Sequence, residues 1–230
     1  MKTMNRRIYI SLFFLVTVEI GFSQGTGGSQ IYITDLKGTP VGTSNYADII
    51  GTPFFFDVWN STKITFSNNA VNNNIQAKVN IYTSEIHYLD EHKVERVFLK
   101  GQIKEVSFFH NGDQYTFKGG PPVNNTCDKN TLYQIVADGD AQLTKCLQKS
   151  LIEVKEYNSA VSQKKFVDSE SYYIFVNSGH FKVKREKDFL LEVFSDKKNA
   201  VEEFIDSNKL KLRKDADLIK VVSFYNSLPK

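Results

Sequence analysis

The chain has 230 residues, 29 Lys+Arg against 26 Asp+Glu, 41% hydrophobic and 13% aromatic content, and two cysteines. With 18 Phe and 11 Tyr it carries too much apolar mass for a disordered chain, and two cysteines cannot stand in for a core as they do in disulfide-stapled miniproteins. A chain of this length buries roughly 70% of the surface it exposes when unfolded, so its core can be self-sufficient.

Residues 1–23 have the three parts of a secretory signal peptide. Lys2, Arg6 and Arg7 come first, Ile8 to Val18 is almost unbroken apolar, and small Gly21 and Ser23 precede a cut expected between Ser23 and Gln24. The apolar run of about 11 residues is short of the ~20 that span a bilayer, and Glu19 interrupts it. No cysteine near the cut invites lipid modification, and no later stretch approaches the length of a membrane span, so no transmembrane segment is expected after cleavage. Cleavage leaves 26 basic against 25 acidic residues, a net charge of +1. The richest basic stretch, Lys209, Lys211, Arg213 and Lys214, is flanked by Asp206, Asp215 and Asp217. No nucleic-acid partner is therefore expected.

Residues 24–30 are Gly/Ser/Thr-rich and read as a mobile mature N-terminus, followed by one β-rich domain over 31–230. Short runs rich in Ile, Val, Tyr, Phe and Thr predict strands near Ile31–Thr34, Phe54–Trp59, Lys63–Phe66, Ile75–Leu89, Val94–Leu99, Ile103–His110 and Gln114–Lys118. Later ones fall near Leu132–Ala137, Gln142–Tyr157, Lys164–Val176 and His180–Lys184. Asn111-Gly112 between two apolar runs is the clearest hairpin signal, and Asp138-Gly139, Ser178-Gly179 and the polar loop Asp90–Lys93 repeat the device. Loops this short demand antiparallel neighbours. The asparagine-rich stretch Ser67–Asn74 reads as an irregular loop, and Gly119-Gly120-Pro121-Pro122 as a break in the sheet. From about Asp188 the apolar period becomes helical. Asp188, Ser195 or Asp196, and Asp215 are candidate caps for two to three helices within 188–228. The expected fold is α+β and β-dominated: an antiparallel meander, curved or barrel-like, one continuous core, and the helices lying on one sheet face.

Cys127 and Cys146 sit where a disulfide would persist after export. A bridge would remove ~3 kcal/mol of denatured-state freedom, but a turn at Asp138-Gly139 sets Cys146 opposite about Leu132, so the pairing stays open. Glu85 and His87 would share a strand face, yet no His-x-His or His-Glu-x-x-His spacing marks a metal site, and no metal or cofactor is expected. His92, His110 and His180 adjoin turns. Nucleophile elbows and phosphate loops are absent. Phe54, Phe56 and Trp59, in the run Gly51–Trp59 that holds the single tryptophan, suit a stacking platform for a sugar or extended peptide, or else simple core packing.

Gly51-Thr52-Pro53-Phe54 with Asp57 and Trp59, the Tyr172-Tyr173 strand, Asp196-Lys197-Lys198, and the closing Asp217-Leu218 to Phe224-Tyr225-Asn226 resemble a family of small secreted proteins of unknown function in Bacteroidetes-type bacteria. The resemblance implies residence in the periplasm or at the outer-membrane surface of a Gram-negative cell, and carries no activity or site. The function expected is an exported, non-enzymatic binding or assembly module of the cell envelope, with an envelope protein or glycan as partner. The alternatives are a hydrolase of envelope glycan or peptide with no recognisable motif, and a lipid-carrying half-barrel.

Overall fold

The computed structural model describes residues 38–41, 46–120, 123, 127, 131–155 and 162–229. The strand expected at Ile31–Thr34 and both prolines of the Gly-Pro break lie outside them. Strands β1 (Gly38–Pro40), β2 (Ile49–Ile50), β3 (Asn60–Phe66), β4 (Val71–Asn80), β5 (Glu85–Leu89) and β6 (Glu95–Phe98) are followed by β7 (Ile103–His110), β8 (Asp113–Gly119), β9 (Leu132–Ala137), β10 (Gln142–Lys155), β11 (Ser162–Val176) and β12 (Gly179–Lys182). Helix α1 (Lys187–Val193), a 3-10 turn (Ser195–Lys197), α2 (Lys198–Ser207) and α3 (Asp215–Ser227) complete the chain. The protein is a β-dominated α+β fold with an open, mostly antiparallel sheet and helices at its C-terminal end.

Sheet order is β1-β6-β5-β4-β3-β7-β8-β9-β10-β11-β12, with β2 pairing β11 in parallel. The meander therefore breaks once: β3 to β6 run outward, and β7 returns to the far side of β3. Only four residues join β6 to β7, so the sheet must curl. The curl is visible in the packing, because Phe98 of β6 meets Phe66 of β3 at a ring distance of 5.9 Å. On a flat sheet those strands would stand ~14 Å apart.

Directly opposed residues share a sheet face, and one row crosses six strands: Ile64, Val106, Phe117, Gln134, Lys145 and Tyr172. At the first end, the curl closes a core of Ile64, Ile75, Val79, Tyr88, Val106 and Phe117. At the other, α1, α2 and α3 bring Leu190, Phe194, Val201, Leu218, Val221 and Val222, all fully buried, down onto Leu143, Tyr172 and Ile174. Two cores thus occupy one face of one sheet, where a single continuous core was expected. The opposite face carries a third, smaller cluster of Cys127, Tyr133, Cys146 and Tyr173. Strand β11 is covered on both sides at Tyr172 to Val176, as its unbroken apolar run requires.

Several local expectations shift. Phe54–Trp59 is not a strand: Phe54 makes a single bridge to Asn80, extending the β4 ladder past the end of β3. The run Ile75–Leu89 divides at a turn in which Ser84 has φ 53°. The asparagine loop shrinks to a turn around Asn69 (φ 63°), and Asn72, Asn73 and Asn74 lie in β4. The last hairpin turns on Asn177 (φ 49°) and Ser178 (φ 64°), one residue before Ser178-Gly179. Asn111 (φ 53°) and Gly112 (φ 91°) form the expected positive-φ pair. None of the helices takes a side-chain N-cap: α1 starts behind Glu186 and α3 behind Lys214, and Asp217 instead accepts the Leu212 N–H at 3.0 Å.

Candidate functional site

Between the two cores, on the face they share, the sheet is left uncovered. There a groove of about 480 Å³ opens, within the range of ligand sites. Phe55, Ile81, Tyr115 and Leu147 form its apolar side, all contributed by the first core or packed against it. Phe55 is fixed by ring contacts to Phe117 at 5.1 Å and Tyr115 at 5.3 Å.

The other side is made by the β10–β11 hairpin. Alternation puts Lys145, Leu147 and Lys149 of β10 on this face, with Asp168, Glu170 and Tyr172 of β11 beside them. Lys149 Nζ lies 2.7 Å from Asp168 Oδ1, and Lys145 Nζ lies 3.1 Å from Glu170 Oε2. Exposure is uneven: the lysine side chains are 12% and 17% exposed, their carboxylate partners 76% and 48%. The ammonium groups are thus seated in the floor with short-lever, solvent-facing acceptors beside them.

Lys145 also anchors the groove to the helical core. Its ammonium lies 3.6 Å from Asp215 Oδ2 and 4.8 Å from the Tyr172 ring centre. The Tyr172 hydroxyl donates to Asp215, and Arg185 Nη2 donates to the same carboxylate at 2.6 Å. Burial and the bond to Asp215 push the Tyr172 phenol up to about 12. Burial pushes Asp215 upward too, but hydrogen bonds from Tyr172 and Arg185 and the charges of Lys145 and Arg185 hold it below the usual carboxylate range. Lys145 is raised: burial opposes its charge, and Tyr172 and Glu170 outweigh that. The first residue of α3 thereby ties the helical layer to the row that ends in Tyr172.

The aromatic run singled out in the sequence is parted by the sheet. Phe54 is buried, edge-on to His87, with Lys78 Nζ 3.9 Å above its ring and 4.3 Å from that of Trp59. Phe56 lies on the other side, stacked on His110 at 3.9 Å. The three do not form one platform, and it is Phe55 between them that reaches the groove. His87 does not pair with Glu85. Its Nδ1 lies 2.7 Å from Glu95 Oε1 and its Nε2 is 3.3 Å from the Asn80 amide, which uses both ring nitrogens. Cys127 and Cys146 are joined as a disulfide, with Cα atoms 6.4 Å apart. Cys146 does stand opposite Tyr133, next to Leu132, and Cys127 lies beside the same residue, its carbonyl accepting from the Tyr133 hydroxyl at 3.3 Å. Among the described residues no three His, Cys, Asp or Glu side chains group to hold a metal ion, and no helix is long and apolar enough to cross a membrane.

Sequence reasoning passed over Lys145, Lys149, Asp168 and Glu170. The signal was Lys-x-x-x-Lys on one strand and Asp-x-Glu on the next, whose significance depends on a register that the weak turn signals between them do not set. No protein-family model, curated protein or solved structure matches the chain, so the site is read from its own chemistry and the family resemblance rests on its motifs alone.

Proposed function

We propose that this is an exported, non-enzymatic binding module of a Gram-negative cell envelope, and that it holds its ligand in the groove between the two cores. The observation that carries the reading is the opposition, across one concave site, of Phe55, Tyr115 and Leu147 to two lysine–carboxylate pairs. Such a site supplies apolar contact area together with a few fixed polar groups, the usual composition of a ligand pocket. The leader and the Cys127–Cys146 bridge support action in an oxidising compartment.

One feature favours a hydrolase as second reading: Asp168 and Glu170 are two carboxylates in the same groove. They are neighbours on one strand, however, and each is an acceptor for a lysine, whereas glycoside cleavage uses carboxyls on either side of the bond, one of them a proton donor. A lipid carrier would need an apolar void between sheet and helices, and that interval is filled by Leu190, Phe194, Leu218 and Val221. The test is to incubate the protein, and a Lys149→Met variant, with envelope glycan, peptidoglycan fragments and envelope protein. The reading expects one component to be retained, chemically unchanged, by the unaltered protein and lost by the variant. Retention of nothing, with turnover of a glycan or peptide, would overturn it.

A further inference from the structure

The groove does not end at Lys149. A second cavity of about 310 Å³ shares Ile81, Gln148, Lys149 and Ser169 with it and runs on along β10 to Ser150, the β4–β5 turn and Lys100. Thr83 lines this extension, and its buried Oγ1 has no hydrogen-bond partner among the described residues. The continuous trough suits an extended chain rather than a compact molecule.

Resting on the reading of this groove as the binding site, we propose that its ligand is a neutral polyhydroxylated chain, a glycan, whose neighbouring hydroxyls are read by the Lys145–Glu170 and Lys149–Asp168 pairs. An ammonium only donates, a carboxylate only accepts, and a hydroxyl does both. A lysine and carboxylate side by side therefore match two adjacent sugar hydroxyls, the amine donating to one oxygen and the carboxylate accepting from the other. The two lysines stand four residues apart on β10, ~13 Å along the strand, and their carboxylates two residues apart on β11, ~7 Å, with Leu147 between the lysines and Phe55 and Tyr115 lining the same groove. A repeating polymer presents hydroxyl pairs and apolar ring faces along its length, and the groove offers charged pairs and apolar side chains along its own. The local chemistry disfavours the competitors. Lys145 and Lys149 each have a carboxylate partner, so the main groove offers an anion no surplus positive charge, and Lys100 adds a cation only at the far end of the extension. A fatty chain would bury four charged groups and give them no hydrogen bonds in return.

The experiment is calorimetric titration of the purified protein with neutral hexasaccharides of glucose, N-acetylglucosamine and mannose, at low and high salt. Dodecanoate and an uncharged extended peptide are run beside them. Asp168→Ala removes a largely exposed acceptor, and a thermal melt of that variant confirms that it folds. The expected result is binding of at least one hexasaccharide, unaltered by salt because the ligand carries no charge, and weakened about tenfold or more by Asp168→Ala. Binding of dodecanoate or the peptide alone, sensitive to Lys149→Met, would overturn the glycan assignment and leave the groove as the site. Sugar binding that neither variant disturbs would overturn both, and absence of any binding would overturn the glycan assignment.

Discussion

Asn226, near the end of α3, shows how one side chain joins two layers. Its Oδ1 accepts the Ala141 N–H at 2.7 Å, and its Nδ2 donates to Ala141 O at 2.8 Å and Asp138 O at 3.2 Å. The contact is so close that a Cβ on Gly139 would come within 2.5 Å of the Asn226 amide, at a backbone φ of 153° that other residues avoid. Asn226→Ala should cost about 1–3 kcal/mol by stranding the buried Ala141 amide, and Gly139→Ala a comparable amount by collision. Urea unfolding of the two variants measures both. If each matches the unaltered protein, the hinge between helix and turn is misassigned. Two tyrosines set the alkaline limit. Tyr172 donates to Asp215 and Tyr225 to Asp196, and burial with these carboxylates raises each phenol to about 12. A group whose folded pKa is raised stabilises fully below its unfolded value and loses that contribution as pH climbs through the folded one. Stability should therefore hold up to about pH 10 and decline toward pH 12, and Tyr172→Phe with Tyr225→Phe should flatten the decline. Denaturation midpoints across that range decide it. At this scale the sequence was only partly legible. The aromatic run 54–59 is visible, but bends from Phe55 to Val58 defeat simple alternation, so which phenylalanine faces which side could not be read from period two.

The elements depend on tertiary packing more than on local signals. None of the helices has a side-chain N-cap, and short helices without such help are marginal in isolation. Their stability must come from the buried stripe. Leu218→Ala, at a fully buried position facing the sheet, should cost about 2–5 kcal/mol, and a loss below 1 kcal/mol in the same urea assay would mean the helical layer is only loosely docked. The apolar stripe of α3 was legible because Leu218, Val222 and Tyr225 recur at helical spacing. The caps were not, because Asp188 and Asp215 open the helices from within the first turn and Asp217 is drawn to Leu212. The disulfide is another element-scale device. It ties Cys127 to the first half of β10 over a separation of 19 residues, and its reduction should lower stability by about 3 kcal/mol through loop entropy. Melting temperature with and without reductant reports this directly. No shift would mean the bridge is not formed in solution.

At the scale of the whole molecule, strand content and antiparallel pairing were written into turn chemistry, as at Asn111-Gly112. The order of strands was not. The return of β7 to β3 depends on a curl that brings Phe98 to Phe66, a contact between residues that no local pattern connects. From that curl comes the division of one sheet face into two cores, and from the division comes the groove, which no local motif could announce. Lys145 marks the boundary: in the same row as Ile64, Val106 and Phe117, it stands where the first core has ended and the helical one begins. The most direct test of this account is a two-dimensional amide NMR titration of the purified protein with the best-bound neutral oligosaccharide. Shifts clustered on Gln134, Lys145 to Ser150 and Asp168 to Glu170 are predicted. Shifts gathered instead on the opposite face, around Tyr133, Phe175 and His180, would contradict it.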